Sequence, residues 1–322
     1  MSVPPRMAVS PIGVLLMALG GPDSLDAVAP FLNEVRGGRP TSPELIHEIT
    51  ERYRVTGGQS PVPAIMQAVA RKLEHRLNET GPSRFTVYVG FRHWHPYIRD
   101  TYQEIVQDGV QRLVGLCMAP QNSQLSVGAY VKKVEEAQAE SGAAIRFTHV
   151  QSWHTHPALI QGITANIREA MGKFHADARD HVALIFTAHS LPEQILKDGD
   201  AYPVQVRETV EAVRTALGPL PPSATWRFAY QSQGRTSDRW LGPMVEDTLD
   251  DLHRVGYRQV LMAPIGFVSD HLEVLYDIDI EFAKRARDKD MQLERIAMLN
   301  ATGPFVETLR EIVTAHLTET GR

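Results

Sequence analysis

Eight short apolar runs mark this chain, and segments with helical periodicity separate them. The runs are residues 12–19, 85–91, 113–118, 145–150, 182–186, 226–230, 260–264 and 296–299. Between them, apolar residues recur every three or four positions in segments 65–77, 158–171, 204–217 and 245–255. Strands that alternate with helices form parallel sheets, because each connection must cross back to the starting end of the sheet. The pattern therefore predicts an α/β fold in which the strands divide into two sets of four.

A weak internal repeat supports this division. Residues 109–112 lead into the third apolar run, and residues 256–259 lead into the seventh. Both segments contain a glycine that ends a helix, a short polar turn and then a strand. A length of 322 residues also favours two domains, at roughly 150 residues each. We predict an N-terminal domain over residues 1–157, a C-terminal domain over 158–303, and a last helix, 304–322, that packs back on the first domain.

The composition excludes several classes of protein. The chain is 43% apolar and 22% charged, with a net charge of −5, and it has no basic stripe that would bind phosphates. We therefore expect no nucleic-acid partner. No segment approaches the roughly 20 apolar residues that span a bilayer, and residues 12–19 lack the flanks of a signal peptide. A cytoplasmic location is expected, with peripheral membrane contact and a monomeric or homodimeric state both left open.

The cysteine content limits metal chemistry. Cys117 is the only cysteine, so neither a disulfide nor a four-thiolate iron–sulfur cluster can form within one chain. Its apolar neighbours predict a packed core thiol.

The fifth apolar run is followed by a histidine in a loop. Residues 182–186 precede Thr187, Ala188 and His189, and Ser190 follows. Ligands bind at the carboxyl ends of strands in open α/β sheets, and an imidazole with a pKa near 6.5 can act as a base or as a neutral metal ligand. The alternative is a structural histidine held by hydrogen bonds.

The seventh run leads into an acidic helix. Gly266 permits a tight turn, and Glu273, Asp277 and Glu281 then recur at every fourth position, which places them on one helix face. Such a stripe is usually a solvated surface. Here no lysine appears before position 284, so the repulsion is uncompensated along the helix itself. That pattern favours a stripe that receives hydrated divalent cations.

Two glycines follow the first run and raise the question of a phosphate loop. Gly20 and Gly21 are followed by Pro22, whereas a dinucleotide fingerprint needs three spaced glycines and a helix directly behind them. The alternative is close approach of the backbone to a flat ligand, with Arg36 and Arg39 available to pair its carboxylates.

These segments together resemble the ferrochelatases, which insert ferrous iron into a porphyrin at the end of haem synthesis. The matching segments are residues 16–22, 35–39, 53–61, 89–96, 152–153, 184–202, 230–243 and 264–281. The most specific of them is 184–202, where Thr, Ala, His, Ser, Leu and Pro precede a spaced Gly, Asp and Tyr. The resemblance implies two similar Rossmann-like domains, each a four-stranded parallel sheet flanked by helices, with a porphyrin cleft between them.

The resemblance also implies roles for individual residues. His189 and Glu273 match the catalytic pair, and together with Asp277 and Glu281 they match the residues that handle the metal. Ferrous iron is then a substrate, with no permanently bound cofactor and no iron–sulfur cluster. The matching porphyrin contacts are Leu19, Arg36, Tyr53, Ser60, Ser123, Trp240 and His271. Which of His189 and Glu273 takes the pyrrole protons stays open.

The identity of the porphyrin also stays open. Leu19 resembles the protoporphyrin-using branch, since the coproporphyrin-using branch has a tyrosine near the metal, but Gln121 and Asn122 depart from the former pattern. Two other functions are alternatives: a non-catalytic porphyrin or haem carrier, and a cobalt chelatase of corrin synthesis. The latter would use closely spaced histidines, for which His154 and His156 are the nearest candidates.

Overall fold

The computed structural model describes residues 11–79 and 84–321; residues 1–10, 80–83 and 322, which the predicted domain ranges include, lie outside this description. The first half forms a four-stranded parallel sheet in the order β2-β1-β3-β4. Its strands are β1 (Ile12–Ala18), β2 (Phe85–Phe91), β3 (Arg112–Cys117) and β4 (Arg146–Val150). Its helices are α1 (Val28–Val35), α2 (Pro43–Val55), α3 (Val62–Glu79), α4 (Ile98–Gln107) and α5 (Ala129–Ser141), which a π-helical turn, Gln124–Gly128, precedes.

The second half repeats this arrangement, with the parallel strand order β6-β5-β7-β8. Its strands are β5 (Val182–His189), β6 (Thr225–Gln231), β7 (Gln259–Ala263) and β8 (Gln292–Arg295). Its helices are α6 (Pro157–Met171), α7 (Gln194–Lys197), α8 (Tyr202–Leu217), α9 (Val245–Arg254), a π-helix (Glu273–Phe282) that continues into α10 (Ala283–Arg287), and α11 (Gly303–Thr320). The predicted fold of two similar four-stranded parallel sheets flanked by helices is confirmed.

Two glycines mark equivalent points of the halves. Gly109 follows α4 with φ = 70°, and Gly256 follows α9 with φ = 99°. Both lie in the left-handed region, where a side chain is strained and glycine is not. The short internal repeat in the sequence thus comes from the same helix stop before β3 and β7.

The apolar pattern of each central strand sorts its residues between two layers. In β1, Val14 and Leu16 point into a core cluster that also contains residues of β5, α6 and α11. The alternating residues Leu15 and Met17 belong to a second cluster beneath α4 and α5. Successive side chains of a strand point to opposite faces, so the continuous apolar run in β1 is that of a strand buried on both sides.

The eighth strand is the one that the apolar pattern mispredicted. Residues 296–299 were expected to form it, but β8 is Gln292–Arg295, paired with Gln259–Met262 of β7. β8 is an edge strand in which three of the four side chains are polar and none is fully buried, so hydrophobicity does not reveal it. Ile296 and Leu299 are buried just beyond its end, where Leu299 approaches Gly162 of α6.

The C-terminal helix lies against the first half as well as against α6. α11 packs on α3 and α6, and Arg76 of α3 pairs with Glu307 at 3.4 Å. At the other end of α11, Arg112 and Arg146 donate hydrogen bonds to the carbonyls of Leu317 and Thr320. In the part of the chain that the structure describes, no helix combines the length and apolarity needed to cross a membrane.

Candidate active site

His189 is the last residue of β5, at the carboxyl edge of the second sheet. Its Nδ1 donates a hydrogen bond to the Ser190 carbonyl, which can only accept one. Its Nε2 lies 3.3 Å from Oε1 of Glu273. The Tyr202 hydroxyl donates to the His189 carbonyl at 2.9 Å. Ring and backbone are therefore both held, and Nε2 is directed toward the carboxylate.

Glu273 begins the π-helix and lies between two imidazoles. Its Oε2 is 3.4 Å from Nε2 of His271, whose Nδ1 lies 3.1 Å from the Ser269 carbonyl. Burial alone would raise the pKa of Glu273, but His189 and His271 hold that pKa well below its ordinary range. Burial alone would lower the pKa of His189, but the Glu273 carboxylate raises it to about 9. The two groups thus form an imidazolium–carboxylate pair at neutral pH.

The turn before Glu273 is held from outside the sheet. Oδ1 of Asn300 accepts a hydrogen bond from the Asp270 backbone N–H at 2.8 Å, and its Nδ2 donates to the Asp270 carboxylate at 2.6 Å. Arg295 lies 3.4 Å from the same carboxylate. The Asp270 side chain is therefore held by Asn300 and Arg295.

Gly266 lies in the tight turn that the sequence predicted, closed by the Phe267 N–H donating to the Pro264 carbonyl at 3.3 Å, but the turn is not what requires a glycine here. Its φ is outside the left-handed region. A Cβ at this position would lie 2.8 Å from the Ala188 Cβ and 2.9 Å from the Ala188 Cα. Glycine is needed because the chain after β7 passes directly over the backbone next to His189.

A cleft of about 670 Å³ lies between the two halves in front of this pair. The second half contributes His189, Glu273 and Trp240 to its lining. The first half contributes residues of α1, α2 and the segment between them: Leu32, Val35, Arg36, Arg39, Leu45, Ile49 and Arg52. The cleft thus has an apolar wall with arginines on one side and an imidazole with a carboxylate on the other.

The acidic stripe continues along this cleft, but it is compensated from the other half. Asp277 and Glu281 both line the cleft. Arg52 of α2 donates to Asp277 at 3.2 Å and lies 3.9 Å from Glu281. The sequence predicted uncompensated repulsion because the cation is 225 residues away along the chain. Burial raises the pKa of Asp277 to about 6, although Ser232 and Arg52 act in the opposite direction.

The four predicted metal-handling residues form a row and not a single ligand set. Within residues 11–79 and 84–321, no three side chains of His, Cys, Asp or Glu converge as a metal site. Glu273 is engaged by imidazoles, and Asp277 by Arg52 and Ser232. The assignment of these residues to the metal stays a prediction. Their arrangement in a row suits a path along which a cation moves.

The predicted porphyrin contacts fall into two groups. Arg36 and Trp240 line the cleft. The other five are not among the described residues that line it. Leu19 is 45% exposed at the end of β1, and the other four occupy buried or half-buried positions: Tyr53, Ser60, Ser123 and His271. The Ser123 hydroxyl donates to Asp200 and accepts from the Leu125 backbone. A porphyrin contact by these five residues stays a prediction.

Gln231 and Ser232 were overlooked in the sequence. Gln231 ends β6 opposite His189, and Ser232 follows it. Ser232 adopts φ = 59° and donates to the Asp277 carboxylate at 2.5 Å. The sequence signal for Gln231 and Ser232 was of the kind that pointed to His189: polar residues directly after an apolar run.

Comparisons with known proteins identify relatives over nearly the whole chain. The family model described as ferrochelatase matches residues 11–317. A ferrochelatase from Herpetosiphon aurantiacus is 42% identical over 94% of this chain and 97% of its own length. A ferrochelatase from Deinococcus radiodurans is 39% identical over 94% and 95%, respectively. A coproporphyrin III ferrochelatase from Halalkalibacterium halodurans is 36% identical over 97% and 99%.

Solved structures agree on the fold. The sirohydrochlorin chelatase of Bacillus subtilis subspecies spizizenii, in complex with cobalt, matches with a TM-score of 0.56 at 9% identity. The match covers 96% of this chain and 97% of that one, and at this identity it concerns the fold alone. The family match spans nearly the whole chain and the relatives are of equal length, so this chain belongs to the ferrochelatase family.

Proposed function

We propose that this chain inserts Fe²⁺ into a porphyrin, with the loss of two pyrrole protons, and that His189 and Glu273 are its catalytic residues. The observation that carries the proposal is the His189–Glu273 pair, with 3.3 Å between Nε2 and Oε1, on the wall of a cleft between two α/β halves. A planar macrocycle needs a slot of this kind, with a proton acceptor beside one face.

We assign the two catalytic residues different tasks. Glu273 stands at the head of the row that continues through Asp277 and Glu281, and carboxylate oxygens suit hydrated divalent cations. Fe²⁺ therefore reaches the ring from the side of Glu273. His189 has no such row of its own. Its Nε2 takes the pyrrole protons after the imidazolium has passed its own Nε2 proton to the Glu273 carboxylate, 3.3 Å away.

The first half holds the ring in this proposal. The aliphatic side chains of α1 and α2 cover one face of the macrocycle, and Arg36 and Arg39 pair with its carboxylates. Two other arginines of the cleft are already engaged: Arg52 by Asp277, and Arg235 by Glu48. The cytoplasmic location, the oligomeric state and peripheral membrane contact stay predictions from the sequence.

Anaerobic incubation of the purified chain with ferrous iron and either protoporphyrin IX or coproporphyrin III tests the function. Metalloporphyrin formation, followed by the Soret band, is the expected result, and the porphyrin with the higher kcat/KM is the substrate. Porphyrin binding without metalloporphyrin would identify a carrier instead. Faster insertion of cobalt than of iron would favour a cobalt chelatase, for which His154 offers little support because Glu208 engages it at 2.7 Å.

His189→Ala tests the catalytic assignment. We expect kcat to fall at least about 100-fold, in the range of general acid–base catalysis, while the porphyrin Kd changes by only a few fold. His175→Ala is the matched control, since this exposed imidazole contacts only Asp177 among the described residues. Retained turnover in His189→Ala would contradict the assignment.

A further inference from the structure

A buried amide lies behind the catalytic pair. Gln231 ends β6 and has no exposed surface, so each polar atom of its side chain requires a partner. Its Nε2 donates to the backbone carbonyl of Glu273 at 2.9 Å. Its Oε1 accepts from the hydroxyl of Thr187, also fully buried, at 2.7 Å.

The partners fix the orientation of this amide. The Glu273 carbonyl can only accept, so the atom that faces it must be the amide nitrogen. The oxygen must then face Thr187, whose hydroxyl therefore donates. Rotating the amide by 180° would set its oxygen against the Glu273 carbonyl and leave a buried repulsion.

The backbone of Gln231 reaches the other catalytic residue. Gln231 is paired with His189 in the β5–β6 register, and its carbonyl accepts from the Ser190 backbone N–H at 2.8 Å. One residue thus bonds to the chain directly after His189 and to the first residue of the π-helix. A further, longer contact joins its Nε2 to the Ser232 hydroxyl at 3.3 Å.

We infer that Gln231 is a positioning residue that sets the separation of His189 and Glu273, and that Thr187 orients its amide. This inference rests on the proposed function. The Glu273 carboxylate is attached to a π-helix whose first carbonyl is tied to the sheet by the Gln231 side chain. Without that tie, the start of the π-helix loses its hydrogen bond to the strand edge that holds His189.

Gln231→Leu removes the tie with little change in volume. We expect kcat to fall about 100-fold, the order expected for a misplacement near 1 Å. The KM for porphyrin and the porphyrin Kd should stay within about 3-fold, because Gln231 is not a described lining residue of the cleft. An unchanged kcat, or a KM that rises while kcat holds, would overturn the inference.

Two variants of Thr187 make a smaller change and test the inference even when Gln231→Leu fails to fold. Thr187→Val keeps the shape and removes the hydroxyl, whereas Thr187→Ser keeps the hydroxyl. We expect kcat to fall about 10-fold in the valine variant. A Gln231 amide that is no longer held by Thr187 should displace His189 and Glu273 by less than removal of the amide in Gln231→Leu does. The serine variant should stay near wild type. Equal activity of the two variants would exclude a role for the hydroxyl and contradict the inference.

Thr248→Val is the matched control. It removes another buried hydroxyl of the second half, which donates from the first turn of α9 to the carbonyl of Met244, the residue before that helix, at 2.8 Å. Similar thermal stability of Thr187→Val and Thr248→Val, with loss of kcat only in the former, separates positioning from general destabilisation. A wild-type chain that forms no metalloporphyrin refutes the proposed function and the positioning role together, whereas an active wild type with an active Gln231→Leu refutes only the latter.

Discussion

Gly266→Ala should push the two sides of the catalytic pair apart. The added methyl would lie 2.8 Å from the Ala188 Cβ and 2.9 Å from the Ala188 Cα, whereas ordinary contact begins near 3.4 Å. The segment after β7 must therefore retreat by about 0.6 Å, since the backbone of Ala188 is held in the β5–β6 pairing opposite Tyr230 and cannot yield as a side chain does.

Two magnitudes follow from this retreat. Inserting a methyl into a packed site costs about 1–3 kcal/mol of unfolding free energy. The retreat also separates the segment that leads to Glu273 from the strand that ends at His189. Because a misplacement of about 1 Å costs about 100-fold in rate, the smaller shift here should lower kcat about 10- to 100-fold.

The assay compares Gly266→Ala with Gly303→Ala. Gly303 begins α11 at an ordinary φ, and a Cβ there would meet nothing within 4 Å. Alanine at that position should leave kcat unchanged and raise stability by at most about 1 kcal/mol. Metalloporphyrin formation and urea unfolding are measured for both variants. Wild-type kcat and stability in Gly266→Ala would refute the claim that close approach to Ala188 fixes the site.

Two further predictions concern charge. The stabilisation from the raised pKa of His189 is complete below its unfolded value of about 6.5 and is lost as pH rises through about 9. In urea unfolding, the difference in free energy of unfolding between wild type and Glu273→Gln should therefore be smaller at pH 10 than at pH 6.5. An equal difference at the two pH values would contradict this prediction. Arg52→Gln should cost about 1–3 kcal/mol at pH 8 by leaving the buried Asp277 carboxylate without its cation. The loss should be smaller at pH 5, where Asp277, with a pKa of about 6, is mostly protonated; an equal loss at both pH values would exclude this cause.

Central strands were predictable from the sequence because burial on both faces leaves a continuous apolar run. β1 begins where its run does and ends one residue before it, and β5 extends three residues beyond its run to include His189. β8 failed this test because Leu293 is its one apolar residue, while the apolar residues that follow it are buried without being a strand. Hydrophobicity reports burial, and buried residues such as these need not form a strand.

The pairing of His189 with Glu273 could be expected from strand ends and family resemblance, but their surroundings could not. Arg52 compensates Asp277 through a contact between the two halves, which no local pattern encodes. Helical spacing also cannot distinguish an α-helix from the π-helix that carries Glu273, since residues four apart lie on one face in both. Long-range packing decides both features.

The duplicated fold places an aliphatic residue where the second half has its base. Ile12 pairs with Arg112 and Val182 pairs with Gln259, each at the first residue of the neighbouring strand. Seven residues further along, the position in the first half that corresponds to His189 is Leu19, which is 45% exposed at the end of β1. Under the proposed function, a porphyrin in contact with both residues meets a titratable side chain from the edge of one sheet and an inert one from the edge of the other. Proton transfer is then confined to the side of His189, and the repeat supplies a second sheet edge without a competing base.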